Sequence, residues 1–175
     1  PHLALGSLLA VDGGTVMTVP YDGGAAQKKG LTDGEVDVFV GTTQAAIEDV
    51  EAGTITPILA FCEGSFEGFK GPDGDITVPG VAGEGMAPEL DSSKDYTGSI
   101  LPAGGFIAVR TGADQAWIDE IVEISEAAWA DREYTDWMKE IMLNEKPLYG
   151  EDAKAFLEEG CEKAVAAFEL LSGQQ

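Results

Sequence analysis

The residues of this chain best suited to chemistry lie in two short turns, Asp22-Gly23-Gly24 and Gly41-Thr42-Thr43. Each follows an apolar run, Val16 to Tyr21 and Val36 to Val40, and each precedes residues that favour helix. Turns of this kind leave backbone N–H groups open at a helix start, where small anions bind. The expected chemistry is capture of a small negatively charged molecule by neutral donors. The candidate ligand-binding residues are Tyr21, Gly23, Gly24, Gly41, Thr42 and Thr43. Gly and Thr also serve turn geometry and capping wherever a strand enters a helix. A tyrosine at a strand end equally suits packing with its hydroxyl hydrogen-bonded.

Other chemistries lack their residues. Nucleophilic catalysis needs a Ser or Cys beside a His, and His2 is the only histidine, with no G-x-S-x-G elbow to serve. Gly23-Gly24 lacks the G-x-G-x-x-G pattern of dinucleotide binding. With two cysteines, Cys62 and Cys161, no C-x-x-C and one histidine, no zinc site is expected. Asp73-Gly74-Asp75 lacks the spaced ligands of a calcium loop and reads as an Asp-Gly turn. No catalytic residue, metal or cofactor is therefore expected. Both cysteines read as small buried hydrophobes.

The elements that must hold the two turns read as strand, Gly-rich turn, helix, twice over. That is the grammar of an open α/β domain. His2 to Ala10 is expected to be a helix, and Gln44 to Ala52 another, stopped by Gly53. Ile55 to Phe61 reads as a strand buried on both faces. From Cys62 to Gly98 the chain is dense in Gly, Pro, Asp and Ser, with only Ile76-Thr77-Val78 strand-like. A strand, Phe106 to Arg110, precedes three helices. Asp114 is expected to cap the first, Glu133 to Leu143 is the second, and Gly150 leads the last. Trp117, Trp129 and Trp137 read as core.

V-P-Y-D-G-G at 19–24, G-E-V-D-V at 34–38, and the segment carrying Glu51, Gly53, Ile55, Pro57, Leu59 and Ala60 resemble the substrate-binding proteins of tripartite tricarboxylate transporters, the TctC or Bug family. The resemblance is specific over the first sixty residues and mostly one of element order from there to about Leu157. It implies a type II periplasmic-binding-protein-like α/β fold, an open sheet with helices on both faces. Members of that family are longer, so the chain is expected to be the C-terminal part of an incomplete two-domain receptor. Residues 1–97 would belong to the second domain. Residues 98–175 would return to the first, with Tyr96 to Gly105 as hinge. The helices after 114 would then expose apolar faces and favour self-association. In place of the family's usual F-D-N the chain has Val40-Gly41-Thr42, which favours a simple carboxylate over an amino acid.

The function implied is an extracytoplasmic solute receptor, periplasmic or extracellular. It would hold a small organic carboxylate and present it to the membrane permease subunits of the transporter. The chain alone is expected to bind that ligand weakly, because half of the site lies in the other domain. A ligand-sensing domain of the same fold that signals to a partner is the alternative, and a small-molecule enzyme a more distant one.

Charge sets the remaining bounds. Ten Lys and Arg against 32 Asp and Glu leave a formal net charge of −22. Nucleic-acid binding requires basic residues to neutralise phosphates, and the only arginines are Arg110 and Arg132. Neither nucleic acid nor an anionic lipid surface is an expected partner. No run approaches the ~18 apolar residues that span a bilayer, so no membrane insertion is expected. Such acidity suits solubility or a salty milieu. It repels an anionic ligand at long range, though salt shortens that reach to about 10 Å at 0.1 M.

Overall fold

Three β-strands follow one another without a helix between them, and their order is set by a single glycine turn. A computed structural model of the chain describes residues 2–102, 105–143 and 146–172. β1 (Ala60–Glu63), β2 (Ser65–Gly71) and β3 (Gly74–Ala82) form a small open sheet in the order β1-β3-β2. β1 runs parallel to β3, and β2 antiparallel to it. Gly64, at φ 74°, turns the chain from one side of β3 to the other. β2 and β3 make a hairpin closed by the pair Gly71 and Gly74 around Pro72-Asp73. The register shifts between Glu67 and Phe69, where Gly68 sits at φ 140°. This bulge brings Phe66 and Phe69, three residues apart, into an edge-on ring contact at 5.4 Å.

Among the described residues there are also six α-helices. They are α1 (His2–Asp12), α2 (Gly24–Thr32), α3 (Thr43–Glu51), α4 (Gln115–Ala130), α5 (Arg132–Glu140) and α6 (Gly150–Ser172). The chain is thus mixed α/β. It divides into two units, Pro1–Leu101 with Cys161–Gln175, and Pro102–Gly160.

In the first unit the core gathers around Leu8 of α1, Val81 of β3 and Tyr96. Leu9, Val11, Leu59, Phe61, Met86, Leu90 and Ile100 pack against them. Val50 of α3, Phe69 of β2 and Val78 of β3 are also buried. Each such side chain contributes about 1.5–3 kcal/mol of burial. The 3-10 turn Thr97–Ser99 lies against α1.

In the second unit no hydrophobic side chain is fully buried among the described residues. Asp131 ends α4 and starts α5, its Oδ1 accepting from the Tyr134 N–H at 3.0 Å. Asp114 caps α4 as expected, accepting from the Ala116 N–H at 2.9 Å. Tyr149 donates to Ser125 Oγ at 2.9 Å, tying the segment before α6 to α4.

Several expected strands are absent. Residues 16–21, 36–40 and 106–110 form no ladder, and Ile55 to Phe61 is strand only from Ala60. An apolar run favours strand only where a neighbour pairs its backbone groups, and these runs have no strand partner among the described residues. Their side chains face solvent instead: Met17 is 86% exposed, Ile107 80% and Ile58 68%. Conversely, β2 occupies a stretch expected to be irregular. Ala103 and Gly104 of the expected hinge lie outside the described residues.

The tryptophans and cysteines need correction too. Trp117 and Trp137 are half exposed, and Trp129 is half-buried: no strand is found among the described residues of their own unit to cover the apolar stripes of α4 and α5. Cys161 is exposed on α6, and Cys62 is half-buried with its thiol pKa pushed up by burial. Both are free.

Candidate functional site

Gly23 is the residue before α2 and takes φ 88°, a conformation that an L side chain rarely adopts. No side chain caps that helix start, so none shields the donors of its first turn. Gly24 opens onto empty space where a Cβ would stand. Thr42 has the extended backbone of an N-cap, φ −85° and ψ 158°, but its hydroxyl makes no capping bond to α3. Gly23, Gly24, Gly41 and Thr42 are exposed and Thr43 is half-buried. Both helix starts expected from the sequence are therefore present and uncapped by side chains, although the strands expected before them are not.

Tyr21 has a different role. Its ring lies over Gly30 of α2, where any Cβ would collide with the phenol. Its hydroxyl donates to Glu35 Oε2 at 3.0 Å. Burial first, then Glu35, pushes the phenol pKa above its ordinary 10.0. The hydroxyl is thus engaged in folding the 33–36 turn back onto α2. Beside the exposed Gly41, the Phe39 ring sits where a Cβ would stand.

Among the described residues, no hydrogen bond, ion pair or ring contact joins the 21–24 turn to the 41–43 turn. What links α2 to α3 is an ion pair between Lys28 and Asp49, both largely shielded. Asp49 is held in turn by Thr54, whose hydroxyl donates to its backbone oxygen at 3.0 Å. Lys29 pairs instead with Asp33 one turn on. Sequence spacing had not singled out Lys28 and Asp49, since nothing in either helix alone shows that the two face one another.

No group of three or more His, Cys, Asp and Glu residues is placed to hold a metal ion among the described residues. No described helix is long and apolar enough to cross a membrane. The chain was compared with protein-family models, curated proteins and solved structures, and nothing matches it.

Proposed function

We propose that this chain is part of a solute receptor of the type II binding-protein fold, holding a small organic anion at the starts of α2 and α3. The observation that carries this reading is the pair of exposed helix starts at Gly23 and Thr42, neither closed by a side-chain cap. Helix N-termini attract anions through unpaired N–H groups and the helix dipole. Backbone donors also suit a carboxylate within an acidic protein, because they need no basic side chain. The motifs at 19–24 and 34–60 support the tricarboxylate-transporter family in particular, and with it an extracytoplasmic location and delivery to permease subunits.

The test is a two-dimensional NMR titration of the chain with mono-, di- and tricarboxylates, amino acids, amines and sugars. Saturable movement of the Gly24 and Thr43 amides by carboxylates alone supports the receptor. Movement caused only by amines or sugars transfers the assignment to a sensor of another ligand class. No movement with any of them defeats the proposal.

A further inference from the structure

The second unit carries a groove of about 340 Å³ lined by Asp131, Glu133, Tyr134 and Trp137. Two of its walls are aromatic. The Tyr134 and Trp137 rings stand 6.0 Å apart and are tilted by 45°, and Trp129 braces Tyr134 edge-on at 5.9 Å. Trp137 is 52% exposed, so part of its side chain is open to solvent.

The other two walls are acidic, and the local cations are committed elsewhere. Arg132 pairs with Asp136 at 3.5 Å, and Lys139 pairs with the same carboxylate at 3.3 Å. These are the only basic residues of α5, and α4 has none. Glu133 makes no ion pair among the described residues. Asp131 uses Oδ1 for its cap, which also fixes its position at the groove. The groove therefore joins aromatic rings, which attract cations through their quadrupoles, to two carboxylates at the start of α5 that make no ion pair among the described residues.

We propose that this groove binds a small methylated or quaternary ammonium solute. Quaternary ammonium suits both walls: its charge is diffuse enough to shed water readily, and its methyl groups pack on the rings. A hydrated alkali cation gains little from an aromatic wall. The groove is open and has room for a solute of choline size. This inference is independent of the anion reading, which concerns α2 and α3.

The test is an NMR titration of the whole chain with choline and with tetramethylammonium, following indole N–H signals. The control is 3,3-dimethylbutan-1-ol, the neutral isostere of choline. The Trp137 signal, assigned by its loss in Trp137→Leu, is expected to shift saturably with both cations while Trp117 stays still. The isostere is expected to bind about tenfold more weakly. Glu133→Gln, an isosteric change at an exposed position, keeps the fold and is expected to weaken choline about threefold. Equal binding of the isostere, an unchanged affinity in Glu133→Gln, or no saturable shift overturns the assignment. The carboxylate titration reads the Gly24 and Thr43 amides, so either proposal can fail alone.

Discussion

The hydroxyl of Tyr96 donates to Asp12 Oδ1 at 2.9 Å across 84 residues of chain. Lys94 reaches the same oxygen at 3.1 Å, and the Asp91 N–H donates to the Tyr96 hydroxyl at 3.3 Å. The end of α1 is thereby latched to the segment leading into the 3-10 turn. Tyr96 is 1% exposed, so this polar contact sits at the edge of the core formed with Leu8 and Val81.

That latch has a pH window. Asp12 is held below its ordinary 3.8 by the Tyr96 hydrogen bond first and Lys94 second. A carboxylate lowered in the fold contributes stability above 3.8, lost as pH falls through its folded value. Tyr96 is raised above 10.0 by burial and then Asp12, and Lys94 above 10.5 by its bond to Asp12. Their contributions are present below those ordinary values and lost as pH rises through the raised ones. The latch is thus fully effective between 3.8 and 10.0. Tyr96→Phe is expected to lower the melting temperature by about 2–4 °C at neutral pH. It is also expected to lose less than the parent between about pH 6 and pH 3, because Asp12 then has less to give up. Thermal unfolding followed by circular dichroism checks both, and parallel acid limbs in the two proteins refute the latch.

Gly80 is the tightest point of the sheet. A Cβ there would lie 1.9 Å from the Gly64 oxygen and 2.7 Å from the Cys62 oxygen, both backbone atoms that cannot rotate away. Its own N–H donates to Gly85, and its oxygen accepts from Ala87, so neither side is free to shift. Gly80→Ala is expected to cost about 3 kcal/mol, the upper end for overpacking. Gly98→Ala, at a position where a Cβ meets nothing, is the control and is expected to change stability little. Urea unfolding of the two variants tests the crossing. Equal midpoints would mean that Gly64 does not pass across β3 in this way.

How much of this was legible in the sequence follows from the range of the forces involved. Helices were readable because their limits are local: Gly23, Gly53 and Gly150, and the carboxylate of Asp114, act within a turn of where they stand. Strands were not, because pairing is non-local. Val16 to Tyr21 and Phe106 to Arg110 carry residues that prefer strand, but among the described residues no second strand pairs with them. β2 stayed hidden because its bulge at Gly68 breaks the two-residue alternation of Phe66 and Phe69. Its readable sign was the Asp73-Gly74 turn followed by Ile76 to Val78, half of a hairpin already. The helix starts of the candidate site were legible on the same local grounds, whereas the Lys28–Asp49 link and the Tyr134–Trp137 groove depend on how helices meet.

Salt is expected to stabilise the chain. With a formal net charge of −22, repulsion among carboxylates works against the compact state. The ion pair Arg132–Asp136 is largely solvent-exposed, so little attraction is lost when salt screens it. Raising salt from ~0.01 M to ~1 M shortens the screening length from about 30 Å to about 3 Å. The melting temperature is expected to rise by about 5 °C over that range. Sodium chloride and potassium chloride should act alike if screening is the cause. A rise with only one of them would indicate a specific cation site instead.

The anion reading makes its sharpest demand at Gly24. This residue opens α2, its φ lies outside the left-handed region, and a Cβ there meets nothing within 4 Å. Alanine favours helix over glycine by about 1 kcal/mol in a helix interior and by less at its first position. Gly24→Ala is therefore expected to leave stability unchanged or slightly raised. An anion held by the first-turn donors of α2 would approach through the space that the new methyl group occupies, so carboxylate affinity is expected to fall about tenfold. Gly23→Ala is the contrasting variant: at φ 88° it strains the backbone and is expected to lower stability and binding together. Calorimetric unfolding paired with a carboxylate titration separates the cases. If Gly24→Ala binds carboxylates as the parent does, the donors of α2 do not hold the ligand, whatever the stability of the variant.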